Sequence, residues 1–288
     1  MKKISFLLIL ALVIGLFGCS DAGQTPQIIA TTAPVYTFAT ALCADTPLQV
    51  GQLITENLSC LHDYSLSVPQ VRMAEGAEVI AISGAGLEDF MSDLLSDCDS
   101  VIDCSKGISL LECEESHDHS HAHEEDSHIW LSPENAILMA KNLCIGLSKA
   151  YPAHTAVFEK NLTQLESRLT ALQDYGNTAL SDLSCRQLIT FHDGFGYLAD
   201  AFDLTIAAAV EEESGSEASA KELIDMITLV QGNHIPAIFT EINGSISAPQ
   251  IISAETGVSV HALNMGMGSA DYFEMMHHNI DTLKEALG

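Results

Sequence analysis

Short apolar runs alternate with helical patterns along most of this chain of 288 residues. In its first half, candidate strands lie at 28–30, 78–82 and 100–102, with helical stretches at 36–42 and 87–95 between them. Strands that alternate with helices in this way predict a mostly parallel sheet with helices on both faces.

A second series of the same kind fills the last part of the chain. Its predicted strands are 188–191, 205–210, 237–240 and 259–263, and its predicted helices are 197–202, 219–230 and 249–256. The sequence therefore predicts an α/β protein with two lobes, each with a mostly parallel four-stranded sheet flanked by helices. No close sequence repeat relates the two series.

A long helical region separates the two series. Ser132 and Pro133 are good residues for a helix start, as an N-cap and a first helical position. A second helical pattern follows Tyr151-Pro152 and has no Gly or Pro between 153 and 175. At 1.5 Å per residue it predicts one rod of roughly 35–40 Å that joins the lobes. The predicted divisions are an N-terminal lobe at 27–150, a linking helix at 151–181 and a C-terminal lobe at 182–288.

The first residues resemble an export signal. A basic start, Lys2-Lys3, precedes 15 residues without a charge, Ile4 to Gly18, and Cys19 follows. A spanning helix needs about 20 apolar residues, so this run is typical of a signal peptide. Leu-Phe-Gly-Cys resembles a bacterial lipobox, which predicts a lipoprotein signal at 1–18, a lipid on Cys19 and a tether at 19–26. The alternative is an ordinary cleaved signal.

The amino-acid composition argues for a folded protein and against some classes of function. Hydrophobic residues make up 47% of the chain, which is enough for packed cores. Lys and Arg number 11 against 39 Asp and Glu, so the net charge is −28. This balance argues against nucleic-acid binding and against electrostatic docking on anionic lipid. A strongly negative surface suits a soluble domain outside the cytoplasm that tolerates or attracts cations.

One segment, 112–128, breaks the α/β pattern because it is acidic, low in complexity and rich in histidine. Within it, His117, His119, His121 and His123 alternate, so their imidazoles would share one face of an extended chain. We expect a mobile loop that scavenges metal ions weakly, since ordering a flexible segment opposes tight binding. The alternative is a solvated acidic linker without a role.

Three further histidines stand out by their positions. His62 lies in a loop before the second strand unit, His128 ends the acidic segment, and His192 follows the predicted strand 188–191. Ligands of parallel sheets bind beyond the carboxyl ends of strands, where His192 stands. Any one of these histidines is more often a surface or hydrogen-bonded residue, so they are informative only as a set.

The chain resembles the ZnuA/TroA-like solute-binding proteins, metal-binding lipoproteins that feed zinc or manganese to ABC importers. The resemblance spans almost the whole predicted mature chain, in order. The residues that carry it are I-I-A-T-T-A-P-V-Y-T-F-A at the start, His62-Asp63-Tyr64, A-I-S-G-A-G-L-E-D-F, F-H-D-G-F-G-Y-L, and Glu241 with E-T-G-V-S-V. S-H-I-W-L-S-P resembles the family's D-P-H-x-W-L-D-P segment, which we align with Ser in place of both Asp residues.

The resemblance implies a metal site whose ligands are His62, His128 and His192. The family's fourth ligand is often an Asp after the last strand, where this chain has Asn264, a weak neutral ligand. Water, Glu241 or a residue of the acidic loop would then complete the shell. Asp63 and Asp193 are expected to orient the histidine rings.

Three imidazoles without an evident carboxylate favour Zn²⁺ over Mn²⁺, which prefers harder oxygen ligands. The resemblance implies a monomeric zinc-binding protein, anchored outside the cytoplasm, that delivers Zn²⁺ to an ABC permease and its ATPase. Three alternatives stay open on the sequence: a carrier of manganese or another divalent metal, a zinc-sequestering surface adhesin, and a zinc-dependent hydrolase. The hydrolase is the weakest, because a general base near the metal is not evident.

Overall fold

A computed structural model describes residues 26–56, 58, 61, 64–112, 125–210, 218–268 and 271–288. The predictions for the signal peptide, for Cys19 and for nearly all of the tether lie outside these residues. So do His62, Asp63 and the four alternating histidines of the acidic segment. Within the described part of the chain, no helix is both long enough and apolar enough to cross a membrane.

The first lobe is built on a sheet of four parallel strands. Its elements are β1 (Ile28–Ala30), α1 (Ala33–Cys43), β2 (Val50–Gln52), α2 (Val68–Glu75), β3 (Val79–Ile82), a 3₁₀ turn (Asp89–Met91), α3 (Ser92–Ser96), β4 (Val101–Asp103), a second 3₁₀ turn (Ile129–Leu131) and α4 (Pro133–Ala150). The strand order is β2-β1-β3-β4. The central strand β1 is fully buried, as expected for a parallel sheet covered on both faces.

The second lobe repeats this topology without a visible sequence repeat. Its elements are β5 (Gln187–Thr190), α6 (Gly196–Ala201), β6 (Thr205–Ala209), α7 (Ala220–Asn233), β7 (Ala237–Glu241), α8 (Ser247–Thr256) and β8 (Ser259–Leu263). The order β6-β5-β7-β8 is again parallel throughout, and every residue of the central strand β7 is buried. Both lobes therefore have the same succession of strands. In parallel sheets of this kind, ligands generally bind beyond the carboxyl ends of the strands.

Two helices join the lobes. The helix α5 (Thr155–Ala179) follows a 3₁₀ turn at Pro152–His154 and packs against α1 and α4 of the first lobe. Buried Asn161 on α5 donates to the carbonyls of Leu42 and Ala44, so it satisfies the end of α1. The last helix, α9 (Tyr272–Leu287), packs on α5 and also contacts α1, where the rings of Tyr272 and Phe38 lie 4.9 Å apart.

These features confirm the predicted fold of two parallel four-stranded sheets and one long connecting helix. The predicted start of α4 is also confirmed, because the Ser132 hydroxyl accepts the Asn135 N–H at 3.4 Å. Two elements were not predicted. The strand β2 has only three residues. The helix α2 begins after Ser67, whose backbone N–H and hydroxyl both donate to Oε1 of Gln70.

The predicted helix at 87–95 is wrong in its first part, which is a turn followed by the 3₁₀ segment and α3. The cause is buried Glu88, whose carboxylate accepts the N–H groups of Ser83 and Gly84 and the hydroxyl of Thr31. Gly84 and Gly86 have positive φ and let the backbone turn back toward this carboxylate. The turn thereby ties the end of β3 to the end of β1.

The contact between α5 and the second lobe depends on Gly176. A Cβ built there would lie 2.2 Å from Cε1 of Phe202, so the aromatic ring packs directly on the helix backbone. Gly232 on α7 offers a control, because a Cβ there meets nothing within 4 Å.

We predict that Gly176→Ala lowers the free energy of unfolding by about 1–3 kcal/mol through overpacking against Phe202. Gly232→Ala should instead raise it, by roughly 0.5–1 kcal/mol, because alanine loses less backbone entropy in a helix. Urea unfolding followed by circular dichroism measures both. Equal effects of the two substitutions would contradict the packing role of Gly176.

Candidate metal centre

His128 is held in one orientation by a buried carboxylate. Its Nδ1 lies 2.8 Å from Oδ1 of Asp126, and the same oxygen accepts the His128 backbone N–H at 2.8 Å. His128 is only 3% exposed and Asp126 only 5%. A carboxylate on Nδ1 fixes that nitrogen as the protonated one, so the Nε2 lone pair is available to a ligand.

Nε2 of His128 is buried, and within the residues that the structure describes it has no hydrogen-bond partner. Burying a polar nitrogen in this way costs free energy unless something else satisfies it. Histidines that bind a metal almost always donate their other ring N–H to a carboxylate, a carbonyl or water, as His128 does to Asp126.

His192 approaches His128 from the second lobe. It follows β5 by two residues, and its ring centroid lies 5.3 Å from that of His128, with the two planes at 88°. Its Nδ1 lies 3.2 Å from Oε1 of Glu241, the last residue of β7. The carboxyl ends of two neighbouring strands thus supply an imidazole and its carboxylate. The sequence placed His192 past the end of its strand but expected Asp193, not Glu241, to orient its ring.

Glu241 is a buried carboxyl, and burial raises its pKa to about 8. Because its oxygen faces Nδ1 of His192, the geometry favours a role in orienting that ring. A carboxyl with a raised pKa is one that a neighbouring cation returns to its charged form.

The two histidines meet because position 194 has no side chain. A Cβ on Gly194 would lie 2.8 Å from both Cε1 and Nδ1 of His128 and 2.6 Å from Cε of Met265. Asp193 lies beside it, half-buried in the turn after His192. The turn between β5 and α6 therefore runs directly over the His128 ring.

Trp130 supports His128 from the other side. It is fully buried, its ring centroid lies 5.5 Å from that of His128, and its indole N–H donates to the carbonyl of Met265 at 2.8 Å. The Trp130 carbonyl accepts the hydroxyl of Tyr272 at 2.9 Å. The segment that bears His128 is thus hydrogen-bonded to Met265, two residues after β8, and to Tyr272, the first residue of α9.

Asn264 takes part in a turn. Its side-chain oxygen accepts the Gly266 N–H at 2.8 Å, and its backbone exchanges two hydrogen bonds with the buried side chain of Asn279. An ion that recruited this oxygen would have to compete with the Gly266 N–H. The turn gives the amide a role that does not require a metal.

Sequence reasoning missed Asp126. The motif D-P-H-x-W-L-D-P has its first Asp two residues before the His, and Asp126 stands there; Ser127 occupies the place of Pro. Our alignment, with Ser for the first Asp, was therefore wrong by one residue. The spacing of an acid two positions before a predicted ligand was the signal that could have identified it.

Within the residues that the structure describes, His128 and His192 are brought together, and no group of three or more His, Cys, Asp or Glu side chains forms a complete metal site. The third predicted ligand, His62, lies outside those residues.

Comparison with known proteins identifies the family. The family model described as "Zinc-uptake complex component A periplasmic", ZnuA, matches residues 28–286. The chain belongs to this family. Membership confirms the resemblance that the sequence indicated. The family's description names a component of a zinc-uptake complex. The word "periplasmic" agrees with a location outside the cytoplasm.

Individual relatives agree with this assignment. The chain is 30% identical to the zinc-binding lipoprotein AdcA of Streptococcus pneumoniae, over 99% of this chain and 61% of that one. It therefore spans about three-fifths of the length of this curated relative. A crystal structure of ZnuA matches with 26% identity and a TM-score of 0.80, over 91% of this chain and 98% of that one. FpvC of Pseudomonas aeruginosa in complex with Mn²⁺ matches at 23% identity and a TM-score of 0.80, over 91% and 98% of the two chains, which shows the fold alone.

We predict that Gly194→Ala weakens metal binding in this ZnuA-family chain. The added methyl would lie too close both to the flexible end of Met265 and to the His128 ring. Met265 can move, but the His128 ring is held in place by Asp126, so the turn or that ring must shift. Overpacking should also cost about 1–3 kcal/mol of stability. Gly146→Ala is the matched control, since its Cβ would lie 2.6 Å from Ile102, within the first lobe.

The measurement is Zn²⁺ affinity by competition with a chelator, together with urea unfolding of both variants. Gly146→Ala should lose stability and keep its affinity, whereas Gly194→Ala should lose both. Wild-type affinity in Gly194→Ala would contradict the close approach as a determinant of the site.

Proposed function

We propose that this chain is an extracytoplasmic solute-binding protein that captures Zn²⁺ between its two lobes and delivers it to an ABC-type importer. The observation that carries the proposal is the pair of imidazoles from opposite lobes, each with a carboxylate on Nδ1. A carboxylate on Nδ1 orients each ring so that Nε2 is the nitrogen that would bind a metal, as in the histidines of zinc sites. His62 is the proposed third ligand, which makes a three-histidine shell.

The donor set favours zinc over manganese. Imidazole nitrogens suit Zn²⁺, whereas Mn²⁺ prefers carboxylate and water oxygens. Glu241 faces a histidine nitrogen and Asn264 an N–H group, so the described residues offer few oxygens to an ion. We propose water as the fourth ligand, or Glu241 after a side-chain rotation, which leaves an exchangeable position for release.

The proposed partners are the permease and ATPase of the importer, with the chain anchored to the membrane through a lipid on Cys19. The relative AdcA is named a zinc-binding lipoprotein, which supports both the metal and the anchor.

The acidic segment is proposed to collect zinc weakly with His117, His119, His121 and His123. We also propose lobes at 27–150 and 182–288 joined by the linking helix at 151–181, a division that the two separate four-stranded sheets support.

We predict that His62→Ala, His128→Ala and His192→Ala each weaken Zn²⁺ binding by more than about 100-fold. Losing a direct ligand should exceed the 10–100-fold cost of losing an outer partner. His277→Ala is the control, because His277 is exposed on α9 and packs beside Tyr175. Calorimetry with a competing chelator measures the four affinities. Any of the three variants that binds as the wild type does identifies a residue that is not a ligand.

We predict that replacing 114–123 by a short glycine-serine turn leaves one tight Zn²⁺ site and removes the weaker ones. The ends of the acidic segment pair independently of its histidines, through the bridge between Glu112 and Glu125 and the bond from Asp126 N–H to the Leu111 carbonyl. Calorimetric stoichiometry before and after the replacement tests this. Loss of the tight site would mean that the segment supplies a primary ligand.

A further inference from the structure

Tyr197 is a buried residue of α6 whose hydroxyl bonds the first lobe. It accepts the backbone N–H of Leu111 at 2.9 Å and donates to the backbone carbonyl of Asp126 at 3.0 Å. Asp126 in turn donates its own N–H to the Leu111 carbonyl at 2.8 Å. Three hydrogen bonds therefore link Tyr197, Leu111 and Asp126 in a closed ring. Leu111 and Asp126 lie near the two ends of the acidic segment.

Asp126 is the shared member of this ring and of the metal centre. Its carbonyl accepts from Tyr197, while its Oδ1 holds both the backbone and the Nδ1 of His128. The backbone of α6 also lies close to it, since a Cβ on Gly196 would be 3.2 Å from its Oδ2. Fixing the main chain of Asp126 therefore fixes the carboxylate that orients His128.

Tyr197 is also linked to the second imidazole through the chain. His192 and Tyr197 bracket one short turn, between β5 and the first residues of α6, and that turn passes over the His128 ring at Gly194. A displacement of Tyr197 relative to Asp126 would therefore change the separation of the two rings.

We propose that Tyr197 is a positioning residue for the metal centre. Its hydroxyl fixes the position of the His192 turn relative to the Asp126–His128 pair. Through Leu111 and Asp126 it also holds the two ends of the acidic segment together. This inference rests on the proposed function. It adds a residue that acts through Asp126 and does not touch the metal.

The variant Tyr197→Phe keeps the ring and removes only the hydroxyl. We predict that it weakens Zn²⁺ binding by about 10-fold, the lower end of the range for outer partners of metal ligands. Tyr151→Phe is the control. It also removes a tyrosine hydroxyl, one that donates to Glu78 at 3.0 Å, just after the far end of α4 from His128. It should leave the affinity within about twofold of wild type.

A double-mutant cycle separates positioning from a general structural effect. Because Tyr197 acts through Asp126, the double variant Tyr197→Phe/Asp126→Asn should bind Zn²⁺ about as well as Asp126→Asn alone. Additive losses would show that the two residues act independently and would overturn the proposal. The same cycle in the chain shortened at 114–123 should give the same coupling, because the ring of hydrogen bonds lies outside the replaced residues. Coupling that vanishes there would overturn the role of Tyr197 at the metal centre.

Failure of the proposed function has a different result. If the wild-type chain binds no Zn²⁺ tightly, or if His128→Ala binds as the wild type does, the site itself is wrong. If the wild type binds tightly and His128→Ala does not, while Tyr197→Phe keeps wild-type affinity, only the role of Tyr197 is refuted.

Discussion

The missing side chain at position 194 is the constraint on which the candidate metal centre depends. Because Gly194 has only hydrogen there, the turn after β5 lies against the ring of His128, and the imidazoles of the two lobes lie 5.3 Å apart, centroid to centroid. Asp126 and Glu241 each hold the Nδ1 of one of these rings. Their contacts can serve one metal centre only while the two lobes stay this close. Met265, bonded through its carbonyl to Trp130, fills the remaining space.

Much of this architecture follows from local sequence. Buried parallel strands such as β3 and β7 are short apolar runs that alternation of strand and helix makes recognisable. The start of α4 is recognisable from Ser132 and Pro133, which are an N-cap and a first helical residue. The strand β2, in contrast, has three half-buried residues with a glycine in the middle, so no periodicity distinguishes it from a loop. The first part of 87–95 was predicted as a helix from its apolar spacing. That spacing does not show that the Glu88 carboxylate accepts the N–H groups of Ser83 and Gly84, which makes this part a turn.

Of the candidate metal centre, the sequence indicates the histidines much better than it indicates their contacts. His128 and His192 are found by position and by family resemblance, whereas Glu241 meets His192 only because β7 is the neighbour of β5 in the sheet. Tyr197 was predicted only as part of a helix, since no local pattern shows that its hydroxyl reaches another lobe. Partners of this kind depend on tertiary geometry, which the sequence encodes through the whole fold and not through spacing.

Trp130 gives this protein an optical property of its own. It is the only tryptophan in the chain, it is fully buried, and its ring lies edge-on to the ring of His128. An indole's emission responds to charge placed nearby, and a cation bound to His128 would sit next to the ring that Trp130 contacts. The tryptophan fluorescence of the unlabelled protein, excited apart from its tyrosines, therefore comes from one defined position and reports on the surroundings of His128.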